Sequence, residues 1–548
     1  MNSSSELCFI LFIHGFQKES GLIVLKNGHT LESGSPFLKR FFFTFILKRL
    51  NHSIMKKSRC IAQCNCNAGR REFLKKSGIF TAGSLAVNSL FVPDFKLYAE
   101  EKGVMMPVIQ GYGKASGYQP KIKAAFVRRK GEYGMRWPGA VYDGEAAMKN
   151  YTEKLNQASG EIGFVLDLRD APIYNHEEAD GWLQEAFEQK PDGLLVMVHD
   201  RQEHAWPTAQ KAAESGIPTV IFSPLGTSFT TNTEKIADRS GCVIYSTDDF
   251  NQVLYGLKML KAGACMKRTR CVVIKGNERM ETLLTSDTGI TLQYVPADTF
   301  INIYNSTQVN DEVIQLADDY IKQARVMKLA TRMDVINGIK SYLVAGKILE
   351  NEKADAISMD CLGALGDIDV SLPCISWSRM NDDGIPAACE ADHGAIAAQI
   401  IVQYLFDRPG FQQDPVADTS DDTLIGAHCS CPTRLNGFSN PPEPFDLIHH
   451  HGNRDAVPRT IWKPGQRITL LDFLPAEDRS QLLFSTGTVV DNLNVPPSGG
   501  CVVSVKYKMD GGQEVLSFPG FHQLFFYGDY KRELKNFCQL FNYEAKIV

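Results

Sequence analysis

From residue 121 onward, short apolar runs alternate with longer stretches in which apolar positions recur every three or four residues. IKAAFVRR, IGFVLDL, DGLLVMVHD and IPTVIFSPLG read as strands, and 143–158, EEADGWLQEAFEQ and WPTAQKAAESG between them carry helical spacing. Apolar runs buried on both faces and separated by helices predict a parallel α/β sheet. After a helix at 249–262 the pattern repeats, with RCVVIKG, TLQYVPA and ADAISMDC as strands and 308–328 and 332–350 as helices. From about Asp407 Pro and Gly become frequent, and RITLLDFL, LLFSTGTVV and GCVVSVKYK follow at antiparallel spacing, ended by a short helix near 530–540. The expected fold is α/β: two Rossmann-like parallel α/β domains, 121–262 and 263–406, followed by an antiparallel β domain, 415–548.

Function in parallel sheets gathers at the carboxyl ends of strands. That singles out Arg128 and Arg129, His199 and Asp200, and Gly226 to Ser228, although each also reads as an ordinary loop residue. Neither GxGxxG nor GxxxxGK[ST] follows any strand, so no nucleotide is indicated by motif. The densest polar cluster is ACEADHGAIAAQIIVQYLF, where Glu390, Asp392 and His393 precede an amphipathic helix running to about Phe406. Acidic residues there can cap the helix. A cap needs only one of them, and two carboxylates with an imidazole are also a donor set for a divalent cation. Further candidates are His428 beside Cys429 and Cys431, the run His449 to His451, and His522 at the edge of an aromatic strand. The CxxC and HxxxH spacing of structural zinc is absent.

Charge changes the picture at the amino end. The formal net charge is −5, but residues 1–99 carry 14 Lys and Arg against 5 Asp and Glu, and the remainder 44 against 58. A body this acidic argues against nucleic-acid binding. The basic leader contains GRREFLKKSGIFTAGSLAV, in which Arg70 and Arg71 precede a weakly apolar, Ser/Gly/Ala-rich stretch. It resembles a bacterial twin-arginine export signal; a basic turn before an ordinary helix is the plain alternative. Such signals open a chain, so Met55, followed by Lys56, Lys57 and Arg59, is the expected start. Residues 1–54 are then upstream extension and 55–100 signal and linker, with the export machinery as partner and a periplasmic or envelope location. Four of the 14 cysteines, Cys8, Cys60, Cys64 and Cys66, lie in this leader, and the ten in the body are too dilute for a disulfide scaffold.

The segments PCISWSRMNDDGIP, ACEADHGAIAAQIIVQYLFDRPG, AHCSCP and GFHQLFFYGDYKRELKNFCQLF, in this order, resemble the L-fucose isomerase and L-arabinose isomerase superfamily over about residues 121–548. The resemblance implies a manganese-type divalent cation (Mn2+), an open-chain sugar as substrate, and proton transfer between adjacent carbons through an enediol. It makes Asp392 and His522 cation ligands, with Glu390 nearby in support, and Arg128, Trp137 and His428 substrate contacts, some of them across a subunit boundary in a homo-oligomer. The family's remaining ligand, a Glu upstream of Cys374, falls here in MDCLGAL at Ala364, which leaves Asp360 and Asp367 as the nearest carboxylates. Asp360 is therefore expected beside Asp392 and Glu390 in catalysis and as the third metal ligand. That substitution keeps two alternatives open beside an exported sugar isomerase: a glycosidase-like hydrolase using paired carboxylates, and a sugar-binding protein without turnover.

Overall fold

The computed structural model describes residues 22–24, 30–32 and 109–548, with breaks at 132–133, 137–140, 202, 367, 451–453, 495–500 and 512. Residues 1–90 and 91–548 form separate units. In the first, Leu22–Val24 pairs antiparallel with Thr30–Glu32. The Arg70–Arg71 motif, Met55, Trp137 and Asp367 lie outside the described residues.

In the second unit, strands β1 (Lys121–Val127), β2 (Val165–Leu168), β3 (Gly193–Val198), β4 (Thr219–Ser223) and β5 (Cys242–Ser246) form a wholly parallel sheet in the order β2-β1-β3-β4-β5. β3 and β4 are buried along their whole length, and β1 from its second residue, as apolar strands must be when helices cover both faces. The helix after β1 spans Gly144–Ile162. It starts on the Asp143 carboxylate, which accepts from two backbone N–H groups, and runs past 158 because Gly163 supplies the left-handed cap at φ 80°.

Strands β6 (Arg270–Ile274), β7 (Met280–Leu283), β8 (Thr291–Val295), β9 (Ala356–Met359) and β10 (Ala387–Cys389) build a second sheet in the order β7-β8-β6-β9-β10. Only β7 is antiparallel to its neighbour. The helix expected over 308–328 is shorter, Asp311–Gln323: Asn310 caps its start, and Met327 and Lys328 pair with Leu447 and Ile448 instead.

The β region consists of β11 (Phe411–Asp418), β12 (Thr423–His428), β13 (Arg467–Leu474), β14 (Gln481–Asn492), β15 (Val503–Met509), β16 (Gln523–Tyr527) and β17 (Glu544–Ile547). Their order is β13-β16-β11-β12-β15-β14-β17, and β13 also pairs with β14, so six strands close into a barrel without open edges. The chain does not end on the helix Lys531–Phe541, because β17 follows it and pairs parallel to β14.

Helix His393–Phe406 packs between the second sheet and the barrel. It is not amphipathic in context: nearly every residue from Ala395 to Phe406 is buried. Its two glutamines donate inside the core, Gln399 Nε2 to the Gly410 carbonyl at 2.6 Å and Gln403 Nε2 to Asn381 Oδ1 at 2.8 Å. This seam fixes where the second sheet meets the barrel. Among the described residues no helix is long and apolar enough to cross a membrane.

Candidate metal centre

Strands β9 and β10 run parallel with Met359 opposite Cys389, so Asp360 and Glu390 leave the sheet side by side. They then part. Asp360 caps helix Cys361–Leu365, accepting from the Gly363 N–H at 3.3 Å, and lies 3.9 Å from Lys275 Nζ. Glu390 and Ala391 both adopt left-handed backbone, φ 65° and 52°, at a cost of about 1–2 kcal/mol each. This sharp turn joins β10 to helix His393–Phe406 and carries the Glu390 carboxylate to the barrel.

The barrel supplies its partners. His428 ends β12, Asp414 lies in β11 opposite Ala427, and His522 precedes β16 with φ 51°. Glu390 Oε1 is 3.7 Å from His428 Nε2 and Oε2 is 3.4 Å from His522 Nε2, while Asp414 Oδ1 is 3.2 Å from that same nitrogen. One donor atom each from Glu390, His428 and His522 falls within 4.8 Å of the others. Both imidazoles are buried, whereas the Glu390 side chain is 36% exposed, so the group opens to solvent on the carboxylate side.

Asp392 has two partners. Its Oδ1 accepts the Ala395 N–H at 2.6 Å, capping the helix, and its Oδ2 faces His522 Nδ1 at 3.1 Å. A proton on Nδ1 turns Nε2 toward Glu390 and Asp414, the arrangement in which a carboxylate orients a metal-binding histidine. Behind Asp392 sits the buried Asp472, pushed up to about 6 by burial and by the Asp392 charge. Gly520, at φ 94°, makes room for it: a Cβ there would lie 2.6 Å from Asp472 Oδ2.

The charges are strongly coupled. Burial alone would hold the His522 ring down, but hydrogen bonds and charge from Asp392 and Glu390, with the Asp414 charge, push it up to about 10. The imidazoles of His428 and His522 hold the Glu390 carboxyl well below the usual carboxylate range. Burial raises Asp414, and the Glu390 charge adds to this. Burial would raise Asp392 too, but the His522 bond and the Ala395 N–H bring it below its ordinary value.

These residues fit a divalent cation. His522 Nε2, which faces Glu390, and Asp414 Oδ1 are buried without a hydrogen-bond partner although they lie 3.2 Å apart. Carboxylates gathered this closely need positive charge, and a second proton on His522 or a bound cation are alternative ways to supply it. Imidazole nitrogens combined with carboxylate oxygens suit a transition metal better than magnesium or calcium.

Of the residues singled out in the sequence, Glu390, Asp392, His428 and His522 come together. Asp360 stands outside the group, one strand away. Arg128 is buried at the end of β1, held by Glu145 at 2.8 Å and by the carbonyls of Arg129 and Gly131, all within the first α/β region. Ala364 packs against the core. His449 lies 3.5 Å from Asp334, in a different part of the fold. Asp414 and Asp472 escaped notice; Asp472 carries a signal as the lone carboxylate in the apolar run RITLLDFL, whereas Asp414 has none in its local sequence.

No family model matches the chain. It is similar to the sulfoquinovose isomerases of Priestia aryabhattai and Priestia megaterium, each 22% identical over 207 residues, or 37% of this chain and 46% of theirs. The chain thus spans about half the length of the curated relatives it matches, a distant likeness to sugar isomerases. Among solved structures, a Legionella pneumophila periplasmic sugar binding protein of an ABC sugar transporter aligns with 53% of this chain and 96% of its own. At 10% identity and a TM-score of 0.17 that likeness carries no argument.

Proposed function

We propose that the chain is a sugar isomerase that interconverts aldose and ketose at a divalent transition-metal ion, of the manganese type, held by Glu390, His428 and His522. The observation that carries this reading is the convergence of their donor atoms within 4.8 Å at the carboxyl end of the second sheet. The distant likeness to sulfoquinovose isomerases supports the choice of a sugar.

Each side chain then has a part. Glu390 and the two imidazoles would hold the ion, and Asp392, through Nδ1, keeps the His522 ring turned so that Nε2 faces inward. When bound, the ion would supply Lewis-acid polarisation of the sugar's carbonyl and neighbouring hydroxyl, acidifying the proton on the hydroxyl-bearing carbon. Asp414, across from Glu390 on His522 Nε2, takes that proton from one carbon and returns it to the next. Asp360, expected in both catalysis and metal binding, has no part in this assignment, since Lys275 and the helix cap engage its carboxylate.

The decisive experiment supplies Mn2+ to the purified chain and follows conversion across ordinary hexoses, 6-deoxy sugars and sulfoquinovose in deuterated water. Ketose formation with deuterium entering at the carbon next to the carbonyl supports the reading. Hydrolysis of glycosides instead, or sugar binding without turnover, overturns it. Export of the folded chain on the Arg70–Arg71 motif and assembly into a homo-oligomer belong to the same reading; amino-terminal sequencing of the exported protein and light scattering test them.

A further inference from the structure

Strand β12 ends at His428 and β15 begins at Val503, and those two residues form the last rung between them. Cys429 and Cys501 therefore leave the ladder at the same end, where the chain is no longer held to strand geometry. Cys429 lies one residue past that rung and Cys501 two residues before it; Cys429 is buried and Cys501 partly exposed. Among the described cysteines Cys501 is the only one that is not buried. Cys361 and Cys389, which follow and end the neighbouring strands β9 and β10, are both buried, out of reach of a reagent in solvent.

We infer that Cys501 and Cys429 form a thiol–disulfide exchange site, with Cys501 the attacking sulfur and Cys429 the resolving one, whose co-substrate is a disulfide of the glutathione class. The inference does not depend on the proposed sugar chemistry. In the first step the Cys501 thiolate attacks one sulfur of the reagent, a mixed disulfide forms, and one reagent thiolate leaves, taking the proton that Cys501 gave up. In the second, Cys429 attacks the Cys501 sulfur, the mixed disulfide breaks, and the second reagent thiolate departs with the Cys429 proton. Two protein thiols are oxidised by two electrons, and the reagent disulfide is reduced to two thiols.

The placement gives the bridge a consequence. Cys429 follows directly on His428, so the disulfide ties the end of β12 to the segment entering β15 and fixes the backbone beside that ring. It also closes the long chain segment between 429 and 501, the kind of loop for which a cross-link limits the unfolded state most.

The test equilibrates the full chain in buffers of graded reduced and oxidised glutathione, blocks remaining thiols, and reads linked peptides by mass spectrometry. A Cys429–Cys501 peptide about 2 Da lighter than its two thiol halves should grow with the oxidised fraction, revert with dithiothreitol and raise the melting temperature. Cys501→Ser should abolish it, and Cys361→Ser should leave it in place. The inference is overturned if Cys501 remains a thiol or a stable glutathione adduct in the oxidising buffers. It is equally overturned if the linked peptide joins other cysteines.

Discussion

Asp392 Oδ2 meets His522 Nδ1 at 3.1 Å, although the two residues are 130 positions apart in the chain and belong to different layers of the fold. The contact ties the start of helix His393–Phe406 to the barrel and leaves His522 Nε2 facing Glu390 and Asp414. Most of the site's chemistry depends on that orientation.

Replacing the Asp392 charge separates its two parts. Asp392→Asn keeps an oxygen to cap the helix but no longer supports an imidazole that binds a cation. Cation affinity should fall about 10–100-fold with little change in melting temperature, whereas Asp392→Ala should lose about 1 kcal/mol of stability as well. Calorimetric titration with Mn2+ and thermal melts check both. Unchanged affinity in Asp392→Asn would contradict the orienting role.

Asp414 is assigned to proton transfer, not to holding the ion. Asp414→Asn should therefore lower kcat by about 10²–10⁴-fold while Mn2+ still binds, measured by steady-state kinetics beside metal titration. Loss of the metal together with activity would make Asp414 a ligand instead.

Gly520 tests the packing behind the site. Its φ of 94° and the 2.6 Å approach of a Cβ to Asp472 Oδ2 leave no room for a methyl group. Gly520→Ala should cost about 1–3 kcal/mol and weaken cation binding, because His522 lies two residues on. Denaturant melts and metal titration of the same variant report each effect.

How far the sequence revealed this site can be judged residue by residue. The alternation of apolar runs and helical stretches marks β1 to β4, β6, β8 and β9, most plainly β3, β4 and β6, because strands covered on both faces must be continuously apolar. It also brings out Glu390, Asp392 and His522, whose polar side chains interrupt apolar or small-residue segments. It misses the closure of the barrel, which depends on β13 pairing with β14 through long-range register and not on local pattern. Helix His393–Phe406 misleads for a related reason. Gln399 and Gln403 look like a solvent face until the core groups that accept their hydrogen bonds are known. Asp414 contributes through a position in the barrel wall that no local motif announces.

Acid stability should carry the mark of His199. Its imidazole is fully buried between Phe126 and Tyr151, and burial with the nearby Arg128 charge pushes it from 6.5 down to about 3. The unfolded chain takes up this proton as pH falls below 6.5 and the folded chain does not until about 3. Stability is thus present above that window and is lost across it on acidification, by a few kcal/mol at most. Urea melts from pH 7 to pH 4 should show the fall, and His199→Phe should flatten it; an equally steep fall in the variant would assign the effect elsewhere.

The central claim concerns where a metal ion binds, and anomalous X-ray diffraction from crystals grown with Mn2+ tests it most directly. One strong peak should lie within coordination distance of a Glu390 oxygen and of ring nitrogens of His428 and His522. A peak centred on Asp360, or none within coordination distance of Glu390, would contradict it.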